Sequence, residues 1–353
     1  MPSVAIDATL VAGSNTGDSS YWTGLLGGLE KLDSEFRFIL LSNRELPSGL
    51  SLGNRFAWKR LPARNRRWLS LVTMPLAARK LGADVFHTQY TLSPLARNGI
   101  TTIHDVSFFI GPQWFKPRDL LLMRGTVPGS AKRAKAVITV SETSRSDIVE
   151  HLQVDPSKVF VTYNAAAPFF RPTDPEDAKR EFGIDGPYIL TIGARWPRKN
   201  LALAIRAAGL LPKRVPHDLL VIGKEGWGDE GGNSRTVSTG YIPNAQLPAL
   251  YSGASLYLFP SFYEGFGIPM LEAFACGTPV LASNGGALPE VSGGAAEIME
   301  DWTPEAWAAR IEALLSDSSK LAQMVDRGVS RAAEFTWENA ARKTLDVYRK
   351  VCT

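Results

Sequence analysis

The chain has 353 residues, of which 44% are apolar and 21% charged, and a formal net charge of +4. That length exceeds a typical single core and points to two domains, while the composition excludes a disordered or fibrous chain. No apolar run reaches the roughly 18 residues of a membrane span, MPSVAIDATL carries no secretory pattern, and Cys276 and Cys352 make no disulfide framework, so a cytoplasmic location is expected.

In chain order, SVAIDAT, FRFILLS, DVFHTQY, ITTIHDV, AVITVS and KVFVTYN read as short strands rich in Val, Ile and Phe. After the first of them, SNTGDSSYW (residues 14–22) reads as a polar loop around Gly17, without the GxGxxG spacing of a dinucleotide fingerprint. Residues 55–80 hold Arg55, Lys59, Arg60, Arg64, Arg66, Arg67, Arg79 and Lys80 and no acid. Residues 1–170 carry 20 Lys and Arg against 13 Asp and Glu, and residues 171–353 carry 19 against 22. A basic half suits a polyanionic or membrane surface. No zinc-ligand spacing or helix-turn-helix pattern accompanies it, so a membrane surface contacted through residues 55–80 is favoured over nucleic acid. Within the run, NRRWLSLVTMPLAARK interleaves Trp68, Leu69, Leu71, Val72 and Leu76 with arginines, as an interfacial helix would. An ordinary basic amphipathic helix packed on a sheet fits the same pattern.

The strand pattern breaks at FFRPTDPEDA (residues 169–178), where prolines and acids cluster, and this sets the expected domains at 1–170 and 171–336. It resumes with YILTIG, HDLLVIG, ASLYLFPS and TPVLAS. The final WENAARKTLDVYRKV spaces Trp337, Ala341, Leu345 and Tyr348 as a helix does, and is expected to pack back onto the first domain. Strand–helix alternation, twice over, predicts an α/β fold of two Rossmann-like parallel-sheet domains facing a central cleft. Ligands of such sheets bind in the loops that follow the strands.

Besides the loop around Gly17, three such loops carry candidate chemistry. In EGFGIPMLEAFACGTPV, Glu264 follows a strand and Glu272 lies eight residues on, about one turn into a short helix opened by Pro269 and closed before Gly277. The amides of Gly265, Phe266 and Gly267 and the helix N-terminus form a cradle for anionic oxygens, and a carboxylate beside it can accept hydrogen bonds from a vicinal diol. By spacing alone, Glu272 could equally complement the helix dipole and Glu264 be a solvated loop acid. In TIGARWPRKN, Arg195, Arg198 and Lys199 stand where a strand meets a helix, a placement suited to a diphosphate or to an ordinary basic turn. In ITTIHDVSFF, His104 follows a strand and can donate to a sugar hydroxyl, take part in proton transfer, or be structural. His87 in DVFHTQY has the same options with less to support a functional one.

The segments HDVSFF, VSETSRSDI, GARWPRKN, VIGKEGWGDE, LPALYSGASLYLFPSFYEGFGIPMLEAFACGTPVLASNGGALPEV and FTWENAARKTLDVYRKV, in this order, resemble the family 4 (group 1) retaining glycosyltransferases of the GT-B fold. The resemblance covers most of the chain and is densest over residues 188–296, where SFYEGFGIPMLEA and PRKN look like mannosyltransferase-type members. It implies an acceptor-side first domain and a second domain that binds the nucleotide sugar. It further implies that Glu264 contacts hydroxyls of the transferred sugar and Glu272 the ribose diol. By the same resemblance Phe266 and Gly267 line the donor through their amides, and Lys199 pairs with the diphosphate. His104 would then reach the donor sugar, and Gly17 would let the backbone approach the reaction centre. Two departures stand out. Ala194 replaces an arginine common in relatives, which leaves Arg195 or Arg198 as the second cation, and the first loop reads TGDSSYW where relatives have TGIGRY or similar.

The activity so implied is retaining transfer of a hexose, mannose favoured, from a nucleoside diphosphate sugar to a glycan or lipid-linked acceptor in cell-surface polysaccharide synthesis. GDP-mannose is the favoured co-substrate, and no cofactor, metal ion or nucleic-acid partner is expected. The enzyme would be cytoplasmic and peripheral on the inner membrane face. Two alternatives are a catalytically impaired nucleotide-sugar-binding subunit and a sugar-nucleotide epimerase or phosphorylase on the same fold.

Overall fold

The computed structural model describes residues 1–11, 17–47, 50, 52–63, 65–223 and 234–352. Of the motifs above, residues 14–16 of the first loop, Arg64 and all of KEGWGDE lie outside the described residues, as do the side chains at positions 17 and 18. The chain divides into two units, Met1–Ala165 with Thr336–Thr353, and Ala166–Phe335. The division falls a few residues before the expected boundary, because FFRPT is already tied into the second unit. Phe170 is buried edge-on to Tyr251, ring centroids 6.0 Å apart, and the Thr173 amide donates to Ser252 Oγ at 3.0 Å.

The first unit holds a seven-stranded sheet of β1 (Ser3–Asp7), β2 (Arg37–Ser42), β3 (Phe56–Arg60), β4 (Val85–Gln89), β5 (Gly99–Thr102), β6 (Ala136–Thr139) and β7 (Val159–Val161), in the order β3-β2-β1-β4-β5-β6-β7. The second holds β8 (Tyr188–Ile192), β9 (Asp218–Ile222), β10 (Thr236–Gly240), β11 (Leu256–Phe259), β12 (Val280–Ser283) and β13 (Glu297–Met299), in the order β10-β9-β8-β11-β12-β13. Every strand pairing is parallel. Each sheet therefore reverses its winding once, between β1 and β4 in the first and between β8 and β11 in the second. Crevices at the carboxyl ends of the strands flanking such a reversal are where open parallel sheets hold ligands.

The sequence pattern missed β3, β10 and β13. Two of them, FAWKR and TVSTG, are edge strands with no buried residue, so the apolar run that marks a buried strand is absent from them. EIM is the edge strand at the other side of the second sheet, and at three residues it is too short to show a period.

Burial on both faces holds the sheets. In the second unit, Leu219, Val221, Leu256, Leu258 and Leu281 pack under Leu203, Ala204 and Ala207 of the helix Leu201–Gly209 and Trp307 and Ile311 of Pro304–Leu315. In the first, Ala5, Leu41, Phe86 and Val137 meet Leu69, Met74 and Ala78 on one face. The other face is covered by the helices Gly17–Lys31 and Trp337–Cys352, which approach closely because Gly24 and Gly28, four residues apart, present no side chain. A Cβ at Gly24 would lie 2.1 Å from the Trp337 ring and one at Gly28 2.2 Å from the Trp337 carbonyl oxygen. Residues 17–22, read above as loop, are the first turns of this helix. Tyr21, Trp22 and Leu25 face the sheet from it and are buried.

Residues 66–80 are helical, with a wide π-type turn at Leu69–Thr73 between Arg66–Trp68 and Met74–Lys80. The wide turn absorbs the missing amide of Pro75 and is pinned by Ser93 Oγ, which donates to the Leu71 carbonyl at 2.6 Å. Leu69, Met74, Pro75 and Ala78 are buried, while Trp68 and Leu76 are each 47% exposed among Arg66, Arg67, Arg79 and Lys80. Among the described residues no helix is long and apolar enough to cross a membrane.

Candidate active site

The winding reversal of the second sheet gathers the charged residues that the sequence singled out. From the end of β8 the chain turns through Gly193 into the short 3-10 turn Pro197–Lys199, and Asn200, in the left-handed region at φ 49°, starts the helix Leu201–Gly209. From the end of β11 it runs through Ser261 to Glu264 and Gly267, and then into the helix Ile268–Ala275. The two loops are joined by the Phe262 amide, which donates to the Arg198 carbonyl at 2.9 Å. Gly267 sits at φ 105°, where a β-carbon would also lie 2.8 Å from Leu288, so this entry to the helix is open to glycine alone.

Glu264 is a buried carboxylate, 6% exposed. Lys199 Nζ donates to its Oε1 at 2.8 Å and Arg198 Nη1 to its Oε2 at 3.1 Å. Arg198 Nη1 also donates to the Tyr263 carbonyl at 2.5 Å, and the Lys199 ammonium lies 5.6 Å from the centre of the Phe259 ring. Burial by itself would push the carboxyl up. The charges of Lys199 and Arg198, with the hydrogen bond from Lys199, outweigh it and hold the group down at about 2. Its backbone is fixed by close contact with the Gly285–Gly286 turn. The Ala287 amide donates to the Glu264 carbonyl at 2.8 Å, and a Cβ at Gly286 would lie 2.4 Å from that oxygen. The alternative of a solvated loop acid is thereby excluded.

Glu272 is partly buried on the same side of the unit. Its Oε2 accepts from Tyr251 Oη at 3.1 Å. Burial raises its carboxyl to about 7, against the lowering effect of the Tyr251 hydrogen bond and of the Lys199 charge. Tyr251 and Tyr257 are buried edge-on at 5.4 Å, and burial, followed by the Glu272 carboxylate, pushes both phenols well up. Tyr257 feels Glu264 as well, so the two acids share one tyrosine-lined wall. Neither tyrosine was singled out in the sequence. The available signal was a pair of aromatics on either side of a predicted strand start, in LYSGASLYLF, where the strand pattern alone accounts for both.

The structure thus brings Arg198, Lys199, Glu264 and Glu272 together beside Gly267 and Phe266, the latter buried edge-on to Phe335 at 5.7 Å. Arg195 lies on the same β8 loop, partly buried. His104 and Gly17 belong to the first unit. His104 follows β5 and packs its ring edge-on to Tyr21 at 4.8 Å and tilted to Tyr90 at 5.8 Å. Asp105 turns back to the chain, its Oδ1 accepting from the Ser107 amide at 2.9 Å and the Ser107 hydroxyl at 2.6 Å. His87 is structural. It is fully buried, with Nδ1 2.7 Å from Tyr348 Oη and Nε2 2.8 Å from Thr102 Oγ1, and burial lowers it to about 3, so it is neutral.

A buried carboxylate clamped by two cations at a sheet reversal, with a second acid on the helix that follows, is suited to an anion and a polyhydroxylated group bound side by side. Known proteins agree with that chemistry. Residues 173–331 match the family described as glycosyl transferases group 1, and residues 19–168 match glycosyltransferase family 4. The O-antigen chain mannosyltransferase B of Escherichia coli is 32% identical over 310 residues, which cover 83% of this chain and 79% of that one. Sucrose-phosphate synthase from Thermosynechococcus elongatus superposes with a TM-score of 0.79 over 99% of both chains at 20% identity. The Anabaena protein Alr3699/HepE in complex with UDP-glucose does so with a TM-score of 0.75 over 99% of this chain and 100% of that one, at 16% identity. The fold is that of the GT-B class, with two Rossmann-like parallel-sheet domains, and the chain belongs to the family 4 (group 1) glycosyltransferases.

Proposed function

We propose that this glycosyltransferase moves mannose from GDP-mannose to a glycan or lipid-linked acceptor in cell-surface polysaccharide synthesis, with retention at the anomeric carbon and without a metal ion. The observation that carries this reading is the Glu264–Lys199–Arg198 cluster at the reversal between β8 and β11. A departing diphosphate needs its growing charge stabilised, and fixed cations with helix N-terminal amides supply that electrostatically. Lys199 and Arg198 take the diphosphate in this reading, with Arg198 rather than Arg195 as the second cation because its guanidinium already shares a carboxylate with Lys199. Glu264 positions hydroxyls of the transferred sugar, the amides of Phe266 and Gly267 border it, and Glu272 accepts from the ribose diol. His104 approaches the donor sugar from the first unit, and Gly17 lies by the reaction centre.

The bond from the anomeric carbon to the diphosphate oxygen breaks as a bond to the acceptor oxygen forms on the same face. The acceptor's proton passes to a phosphate oxygen, so no carboxylate nucleophile is needed. The choice of mannose and of a polysaccharide product is supported by the Escherichia coli relative, named as an O-antigen chain mannosyltransferase. The choice of a nucleotide sugar is supported by the UDP-glucose complex among its structural neighbours. The exposed Trp68 and Leu76 among Arg66, Arg67, Arg79 and Lys80 support contact with the inner, anionic membrane face.

A thermal-shift screen of nucleotides and nucleotide sugars, followed by transfer assays with the ligands that stabilise, tests the donor. A ligand at about a hundred times its dissociation constant stabilises the folded state by about 2.7 kcal/mol. Stabilisation by GDP and GDP-mannose is expected, and a response to uridine nucleotides alone would refute the donor. Co-sedimentation with vesicles should rise with anionic lipid content. Binding indifferent to that content would refute the membrane contact.

A further inference from the structure

The polar surroundings of His104 fix more than its position. Gln89, the last residue of β4, lies between two rings, with its Oε1 accepting from the Trp22 indole Nε1–H at 3.0 Å and its Nε2 in hydrogen-bond contact with His104 Nε2. An indole nitrogen can only donate, so the amide oxygen of Gln89 must face Trp22. Its NH2 group, which can only donate, then faces His104. The histidine nitrogen it meets must offer a lone pair, and the ring proton must be on Nδ1. Reversing the amide would set N–H against N–H at Trp22, and Trp22 is fully buried with its ring edge-on to His87 at 4.9 Å.

The backbone is bent to make this contact. Tyr90, the next residue, has φ 58°, a left-handed conformation that bulky side chains rarely adopt, while its amide still donates to the Thr102 carbonyl at 2.9 Å. That turn ends β4 beside the His104 ring, so Gln89 and Tyr90 both reach it. Tyr21 closes a third side from the helix Gly17–Lys31.

We propose that Gln89 is a positioning residue that holds His104 neutral and protonated at Nδ1, through the relay from the Trp22 indole to the Gln89 amide to His104 Nε2. The consequence for transfer rests on the reading above, in which His104 meets the donor sugar. His104 then serves as an N–H donor to the sugar, and its Nε2, already accepting from Gln89, takes no proton from the acceptor. This is consistent with the phosphate oxygen as the base.

The chain has four histidines, so ring-nitrogen NMR of protein labelled with 15N-histidine resolves each of them, with His104 assigned through His104→Asn. In the wild type at neutral pH, His104 should show a protonated Nδ1 and a bare Nε2. His87, neutral between Tyr348 and Thr102, serves as the internal standard. Gln89→Glu keeps an acceptor for Trp22 but turns an oxygen toward His104, so Nε2 should gain a proton. A histidine held in the wrong protonation state cannot perform its task, so kcat should fall about tenfold or more while donor KM stays within about twofold. A wild-type His104 protonated at Nε2 overturns the proposal, as does a Gln89→Glu protein with an unchanged His104 or unchanged kcat. Wild-type turnover by His104→Asn would instead remove His104 from the transfer reaction and leave the NMR result standing as a statement about the fold.

Discussion

Glu264 and Glu272 stand on one wall, and burial pushes both carboxyls up, yet their net shifts run in opposite directions. Lys199 and Arg198 overcome burial at Glu264 and hold it ionised down to about 2, whereas Glu272 has one tyrosine hydroxyl and a more distant lysine and rises to about 7. Because the folded-state value of Glu264 lies below that of an exposed glutamate, its ion pairs stabilise the fold fully above about pH 4.5 and lose that effect as pH falls toward 2. Glu272 has the opposite sign, since the folded state holds its proton more tightly and stability falls as pH rises from about 4.5 to 7. If Glu272 accepts from the ribose diol as a carboxylate, donor affinity should increase as pH rises through about 7, read by titration calorimetry of the donor nucleotide. Glu272→Gln should abolish that dependence. Glu264→Gln should cut kcat about 100-fold or more through loss of the sugar contact while nucleotide binding survives. Lys199→Ala should cut diphosphate affinity and raise the Glu264 carboxyl. Transfer by it at the wild-type rate would refute the assignment.

At the scale of elements, the helix Ile268–Ala275 and its entry are set by glycine geometry. Gly267→Ala meets both the left-handed backbone and the Leu288 side chain, and should cost roughly 1–3 kcal/mol in chemical denaturation and lower donor affinity with it. An unchanged midpoint would show that the loop has room to relax. This element was legible in EGFGIPMLEAFACG because proline, glycine and the following Gly277 punctuate it locally. The pairing of Arg198 and Lys199 with Glu264 was not, because residues some 65 positions apart meet only through the winding of the sheet. Residues 17–22 of the first loop were misread for a related reason. TGDSSYW looks polar and turn-like, but its Tyr21 and Trp22 are buried against the sheet, and that burial outweighs weak local helix preference.

Over the whole molecule, the final helix Trp337–Cys352 completes the first unit rather than the second that precedes it. Trp337 lies against Gly24 and Gly28, Tyr348 against His87, and Arg349 is paired with Glu35 at 2.8 Å. Gly24→Val should therefore destabilise the first unit by roughly 1–3 kcal/mol or more, since the helix pair has no slack for a side chain. Urea unfolding followed by tryptophan fluorescence reads this, and an unchanged transition would contradict the packing described. The sequence by itself determined the two runs of alternating strands and helices, the parallel sheets, and the identity of most charged residues at the site. Those features are written in local periodicity and punctuation, which need no partner. Tertiary structure alone decided which cations clamp Glu264, why Glu272 carries its proton near neutrality, and which nitrogen of His104 is protonated. Each of those depends on burial and on polar or charged groups brought from another element of the fold, and charge and proton positions respond to that environment rather than to neighbours in the chain.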